Sequence, residues 1–211
     1  MWRIAGLLSG ALVLALLCAP AHAVPFVYNN GAPNQSNGNE MTQWIQAEDF
    51  VLAAPTTVTG VRFWDVSGAY QGSIVWQIYA NNGNQPGSLL ASGSVSPTRS
   101  ATGNSLFFGN EFQNDFALSV ALTSGTYWLG LHNGPLTTTT REEFYWETTN
   151  GNTTSTANED NAPFGDNVWF NNGQEHAFIL SGATELQPVP EPSSMLLLGT
   201  GLLLVLRKVR R

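Results

Sequence analysis

The sequence predicts an all-β body, an antiparallel β-sandwich of jelly-roll type, set between two apolar terminal helices. Three observations lead there. No window of residues 24–185 keeps a long helical period. Eight or so short runs rich in β-branched and aromatic residues follow one another instead. Gly, Pro and Asn clusters punctuate them at regular spacing.

The elements can be taken in order. Residues 24–39, rich in Asn, Gly and Pro, read as an irregular or edge segment. Residues 44–52 (WIQAEDFVL) form a strand that runs into Pro55, and residues 57–66 (TVTGVRFWDV) a second. Residues 73–80 alternate cleanly, with Ile74, Trp76 and Ile78 on one face and Val75, Gln77 and Tyr79 on the other. Asn81-Asn82-Gly83-Asn84 and Gln85-Pro86-Gly87 are consecutive turn signals. Strands follow over residues 88–95, 112–122 and 125–133; in the last, Tyr127, Leu129 and Leu131 oppose Trp128, Gly130 and His132. Residues 143–147 and 175–181 complete the set, and the polar interval 148–167 reads as a surface loop or a partly disordered one.

Both ends read as addresses rather than as parts of the body. Met1-Trp2-Arg3 is a short cationic start, residues 4–17 are almost wholly apolar, and Ala21-His22-Ala23 is a small-x-small cleavage site. Residues 1–23 therefore read as a secretory signal peptide, cut after Ala23 by a signal peptidase. Cys18 follows Leu16-Leu17, where a lipobox would have a small residue, so a lipoprotein is not the expectation. At the other end, residues 186–194 are a linker containing Val189-Pro190-Glu191-Pro192, which cannot be helical across its middle because Pro192 biases Glu191 away from the α region. Residues 195–206 (MLLLGTGLLLVL) are uninterruptedly apolar, and Arg207, Lys208, Arg210 and Arg211 end the chain. A membrane core takes roughly 20 apolar residues, about 17 at the lower limit. Counted from Pro192, with Arg207 and Lys208 snorkelling, the run reaches a marginal span, so residues 195–211 read as a transmembrane helix and basic tail whose cations stay on the cytoplasmic side.

Charge and cysteine content narrow the function classes. The single cysteine, Cys18, lies in the leader, so the body has no disulfide, thiolate metal site or cysteine nucleophile. Residues 24–185 hold only Arg62, Arg99 and Arg141 against fourteen carboxylates, a balance of −11 with no lysine. Such a surface repels nucleic acid and anionic lipid; neutral glycans or cations are the compatible partners.

The Val-Pro-Glu-Pro-Ser-Ser hinge, short apolar helix and terminal Arg/Lys cluster of residues 188–211 resemble a PEP-CTERM sorting signal. The resemblance implies that the tail holds an exported protein in the inner membrane until an exosortase cuts near Pro190-Glu191-Pro192. The body would then pass to the cell surface or the exopolysaccharide matrix. Residues 45–52 (IQAEDFVL), 56–65 (TTVTGVRFWD), 76–92 (WQIYANNGNQPGSLLAS), 122–131 (LTSGTYWLGL) and 176–182 (HAFILSG) are similar to the small exported β-domains that carry such tails. That likeness supports the fold and implies little about activity.

Candidate sites come in three kinds. Exposed indoles beside Asn and Gln stack on sugar faces. Trp64, Trp128 and Trp146 each neighbour an aromatic of opposite facing (Phe63, Tyr127, Tyr145), so one of each pair is expected outward or under a loop, whereas Trp76 shares a face with Ile74 and Ile78. The alternative is an aromatic core. Asn158-Glu159-Asp160-Asn161 and Gly165-Asp166-Asn167 gather oxygen ligands that suit Ca²⁺, with Asp160 and Asp166 the candidates, although the spacing is not that of an EF-hand and a solvated acidic loop is the simpler account. Glu48 and Asp49, adjacent in a strand, face opposite ways and do not easily share an ion. For catalysis, His132 and His176 stand in no recognisable motif, and no nucleophile elbow or phosphate loop is present. Carboxylate pairs for glycoside hydrolysis remain open simply because acids are numerous. The expectation is a non-enzymatic structural or glycan-associating surface component with no cofactor. Its partners would be exosortase, signal peptidase, the inner membrane in transit and exopolysaccharide, with no nucleic acid. A calcium-dependent adhesion module and a secreted glycan-active enzyme are the rivals.

Overall fold

The computed structural model describes residues 25–106, 109–138, 140–151, 158–161 and 168–184, the backbone alone in 158–161. Among them the strands are β1 (Phe26–Asn29), β2 (Pro33–Glu40), β3 (Trp44–Leu52), β4 (Thr56–Ser67), β5 (Ile74–Asn81), β6 (Pro86–Val95) and β7 (Thr98–Leu106). There follow β8 (Gly109–Leu122), β9 (Gly125–Asn133), β10 (Phe144–Thr149), β11 (Asn158–Asn161), β12 (Phe170–Asn171) and β13 (Phe178–Thr184). Every pairing is antiparallel.

One sheet is built around β4, the other around β3 and β9. Along one edge β4 pairs with β8 from Thr56 to Ser67. Its other edge is divided end to end: β13 takes Thr56 to Phe63 and β10 takes Asp65 to Ser67. β1 then extends β13, β2 extends β10, and β7 extends β8. The second sheet runs β12-β11-β3-β9-β5-β6. Consecutive strands stay within one sheet at β5–β6 and at β7–β8, where a strict jelly roll would cross more often. At the first of these hairpins Gly83 and Asn84 take φ of 62° and 68°, the positive values that a tight hairpin turn demands and that the Asn/Gly sequence anticipates.

The inner faces share a single core. Phe50, Leu52, Ile74, Ile78, Leu129 and Leu131 from one sheet meet Val58, Val61, Phe63, Phe116, Phe144, Trp146, Phe178 and Leu180 from the other. The alternation anticipated in β5 and β9 holds, and Trp76 is half-buried against this core. A second cluster covers the outer face of the β3/β9 sheet, where Ile45, Ala47, Tyr79 and Trp128 pack with Trp169. β3 is consequently buried on both faces.

The strands at 44–52, 57–66, 73–80, 88–95, 112–122 and 125–133 lie where the sequence places them, within a few residues. Residues 24–39 form β1 and β2 at the two ends of the β1-β13-β4-β10-β2 path, the edge alternative of the sequence reading. Two expectations change: β7 fills a stretch with no expected element, and the polar interval contains β11, paired to β3. Residues 1–24 and 185–211, with the expected terminal helices and the domain limits at 23 and 185, lie outside the described residues.

Replacing fully buried Phe63 with alanine is expected to lower unfolding free energy by about 3–5 kcal/mol in urea titration. Phe170, 57% exposed, tolerates the same change within about 0.5 kcal/mol.

Candidate functional site

The three candidate tryptophans do not offer a face to solvent. Trp64 is 9% exposed, and Trp128 and Trp146 are fully buried. Trp146 lies in the shared core, edge-on to Phe63 and Phe178 and stacked on His176 at 4.6 Å, with its Nε1–H donated to the Ala177 carbonyl at 2.9 Å. Trp128 faces outward from β9 but is covered by the second cluster, and its Nε1–H is donated to Asn81 Oδ1. The expectation that an outward indole is a free stacking platform is therefore corrected: Trp128 points outward, but the second cluster covers that face of the β3/β9 sheet. Asp160 sits on β11 opposite Ile45, its side chain outside the described residues, as is all of Asp166. Among the described residues no group of three His, Cys, Asp or Glu side chains is placed to hold a metal ion. Ala21, Ala23, Val189, Pro190, Glu191, Pro192, Arg207, Lys208, Arg210 and Arg211 also lie outside them. No helix among the described residues is long and apolar enough to cross a membrane.

What the fold does assemble is a set of buried carboxyl groups. Phe63 and Trp146 face the core together, so their neighbours Trp64 and Glu147 face the other side of the sheet. Val66 is on that outer side too, and Glu111 on β8 stands opposite it. Glu111 and Glu147 thus approach each other across β4. Gln35, in the irregular part of β2 at φ 57°, folds over them and donates its Nε2–H to Glu111 Oε2; Asn104 Nδ2 donates to Glu111 Oε1 at 3.3 Å. Burial, and then the adjacent Glu111, push the Glu147 carboxyl up to about 8. Burial also acts to raise Glu111, but hydrogen bonds from Thr102, Glu147, Gln35 and Asn104 outweigh it and hold Glu111 below the usual range. Neither Glu147 oxygen has a partner at full hydrogen-bond geometry, and the Gln35 backbone N–H acts only weakly against the rise. The opposite shifts have one account: of the two neighbouring carboxyls, Glu147 keeps its proton at neutral pH and Glu111 carries the charge.

A second pair occupies the interior. Glu48, in step with Phe50 and Leu52 on β3, points into the sandwich, where its Oε2 accepts the His176 backbone N–H at 2.6 Å and lies 3.3 Å from His176 Nδ1. His176 Nε2 is 3.1 Å from Asn39 Oδ1, an acceptor, so the ring proton sits on Nε2 and Nδ1 is left to accept. Burial drives His176 down to about 3; burial first, then the charge of Glu175, drive Glu48 well up. Glu48 as a neutral acid donating to Nδ1 satisfies both. Glu175 is raised to about 7 by burial, against a hydrogen bond from Asn30. Asp65 is fully buried beside Arg99, whose Nη2 bonds both its oxygens at 2.8 and 3.1 Å. Arg99 reaches inward from β7, with its guanidinium 4.0 Å from the Phe112 ring centre and 4.5 Å from that of Tyr70.

The sequence reading weighed Glu48 only beside Asp49 and His176 only as a histidine outside any motif, and it did not bring the two together. The signal was there for Glu48, since an acid at the parity of Phe50 and Leu52 must face the core. Nothing local marks Gln35, Glu111 and Glu147, which three different strands bring together.

The protonated acids make stability depend on pH. A carboxyl whose native pKa is raised binds its proton more tightly folded than unfolded, so its contribution is complete below about pH 4 and is lost as pH rises through the native value. His176, being lowered, acts oppositely, and its contribution is complete once pH exceeds the ordinary histidine range. From about pH 7 to about pH 9 only the carboxyls still change, so the melting temperature is expected to fall there, and Glu147→Gln to flatten the fall. Arg99→Ala leaves Asp65 buried without its cation and is expected to cost about 3–5 kcal/mol in chemical denaturation.

Comparison with known families adds one finding: residues 188–211 match the PEP-CTERM protein-sorting motif. No curated protein and no solved structure matches the chain. The motif covers the hinge, apolar run and basic end singled out in the sequence, and such motifs mark export and membrane-associated processing. The chain carries a PEP-CTERM sorting domain and is an exosortase-targeted exported protein.

Proposed function

We propose that the body is a non-catalytic structural component of the cell surface or exopolysaccharide matrix, able to associate with glycan there. A signal peptidase removes residues 1–23, residues 195–211 hold the product in the inner membrane, and exosortase releases it near Pro190-Glu191-Pro192. The sorting motif at 188–211 is the observation that carries this reading. The lysine-free, strongly acidic body agrees with it, since self-repulsion keeps an exported domain soluble and away from nucleic acid and anionic lipid. The acids also favour structure over chemistry: Glu48 is aimed at His176 and Glu111 at Glu147, both inside the protein. With Trp64, Trp128 and Trp146 covered, glycan association has to use another surface.

The test is replacement of Pro190, Glu191 and Pro192 by alanine in the producing cell, followed by fractionation. The intact chain is expected outside, shortened by its tail, and the variant retained at full length in the inner membrane. Equal delivery of both to the outside contradicts the reading.

A further inference from the structure

The outer face of the β4 sheet carries a groove apart from the carboxyl pairs, about 340 Å³ in volume, which is within the range of small-ligand sites. Strand register explains its shape. Phe26 on β1 stands opposite Ser181 on β13, Ser181 opposite Gly60 on β4, and Gly60 opposite Ala117 on β8. Three small residues in a row leave a trough, and Phe26, 62% exposed, stands at its end. Arg62 and Asp115, opposite each other one step along, form its flank, joined by Nε to Oδ1 at 2.7 Å with side chains 36% and 39% exposed. Asp115 Oδ2 takes a second bond from Gln113 Nε2 at 2.6 Å, so the fork is held in place. Arg62 uses only Nε, and among the described residues its terminal amino groups have no protein acceptor.

We propose that this groove binds a neutral hexopyranose unit of a glycan chain, with the sugar's C–H face on the Phe26 ring and its hydroxyls on Arg62, Asp115 and Ser181. The proposal rests on the matrix reading above and names the surface that the buried tryptophans do not provide. The chemistry selects the ligand. An exposed flat ring beside paired donors and acceptors suits a molecule with one apolar face and a hydroxyl rim. The Arg62–Asp115 pair has no net charge, and the surplus of carboxylates on the body opposes an acidic sugar or a phosphate. The polar flank is wasted on a purely apolar partner. Gly60 is the position that keeps the trough open. A Cβ there would meet Phe116 O at 3.5 Å and Ser181 Cβ at 3.6 Å, which is ordinary contact, so a larger side chain enters the groove without disturbing backbone.

The full chain, purified in a detergent that contains no sugar, is titrated with cellohexaose, maltohexaose and mannohexaose, and with hexagalacturonate as the acidic counterpart. Calorimetry or ligand-observed NMR reads the binding. At least one neutral hexasaccharide is expected to bind, with Phe26→Ala weakening it about tenfold and Gly60→Val abolishing it. Phe26 is mostly solvent-exposed, so Phe26→Ala should keep the parent melting temperature, which separates loss of a contact from loss of the fold. Unchanged binding in both variants overturns the proposal while leaving glycan association intact, because the sugar then sits elsewhere. Binding of hexagalacturonate alone overturns the neutral class, and no binding of any neutral hexasaccharide overturns the site. Co-sedimentation of the parent chain with the producer's own exopolysaccharide then decides separately whether the matrix reading survives.

Discussion

Among the described residues seven carboxyl side chains are buried: Glu40, Glu48, Asp49, Asp65, Glu111, Glu147 and Glu175. The body contains no lysine, and one arginine, Arg99, reaches inward to meet them. A carboxylate removed from water without compensation costs more than a fold of this size can bear. Three solutions are visible. Asp65 takes the arginine, Glu40 caps the turn at Thr42 and Gln43 by accepting their N–H groups, and Glu147 and Glu48 keep their protons. The last is the most economical, since a neutral acid is both donor and acceptor and can satisfy a neighbour that already carries a lone pair.

These contacts fall where the connectivity is weakest. β4 exchanges its neighbour from β13 to β10 partway along, and a sheet divided in this way needs cross-ties. Glu111–Glu147 joins β8 to β10 across β4, and Gln35 adds β2. His176, just before β13, reaches Glu48 on β3 and Asn39 on β2 while stacking on Trp146 of β10. The first pair thereby ties strands within one sheet, and the Glu48–His176 pair connects that sheet to the other, a task that a disulfide often performs in exported domains of this class. An acidic exterior and a polar-stapled interior agree with the structural role proposed above.

Legibility of the fold in the sequence followed burial. β3, β4, β5 and β9 carry aliphatic and aromatic side chains at strand parity, and their bounds were readable within a few residues. β2 (PNQSNGNE), half-buried but without an apolar side chain apart from Pro33, and β7 (TRSATGNSL), mostly exposed, bury almost no apolar surface and so show no alternation, although their backbones complete the sheet. The tryptophans failed for the reverse reason. Alternation identified Trp128 as outward, but sequence does not show that Trp169, some forty positions on, will help cover that face. The carboxyl pairs were invisible because proximity across three strands is a property of register, and register is set by the whole sheet. The sorting tail needed no fold at all, and for that reason it was the most legible part of the chain.

The groove at Gly60 and the carboxyl pair at Glu147 lie on the same outer face of one sheet, the first open and the second sealed by Gln35. Rigidity of that sheet is what presents the groove, so the protonation of Glu147 is the claim on which the account stands. It is measured most directly by carbon-13 NMR of the side-chain carboxyls as pH is raised, with Glu147→Gln assigning the resonance. The account predicts a Glu147 carbon that remains in its protonated position at neutral pH and titrates at about 8. A Glu147 carbon already ionised below about pH 5, as in an exposed glutamate, would contradict it.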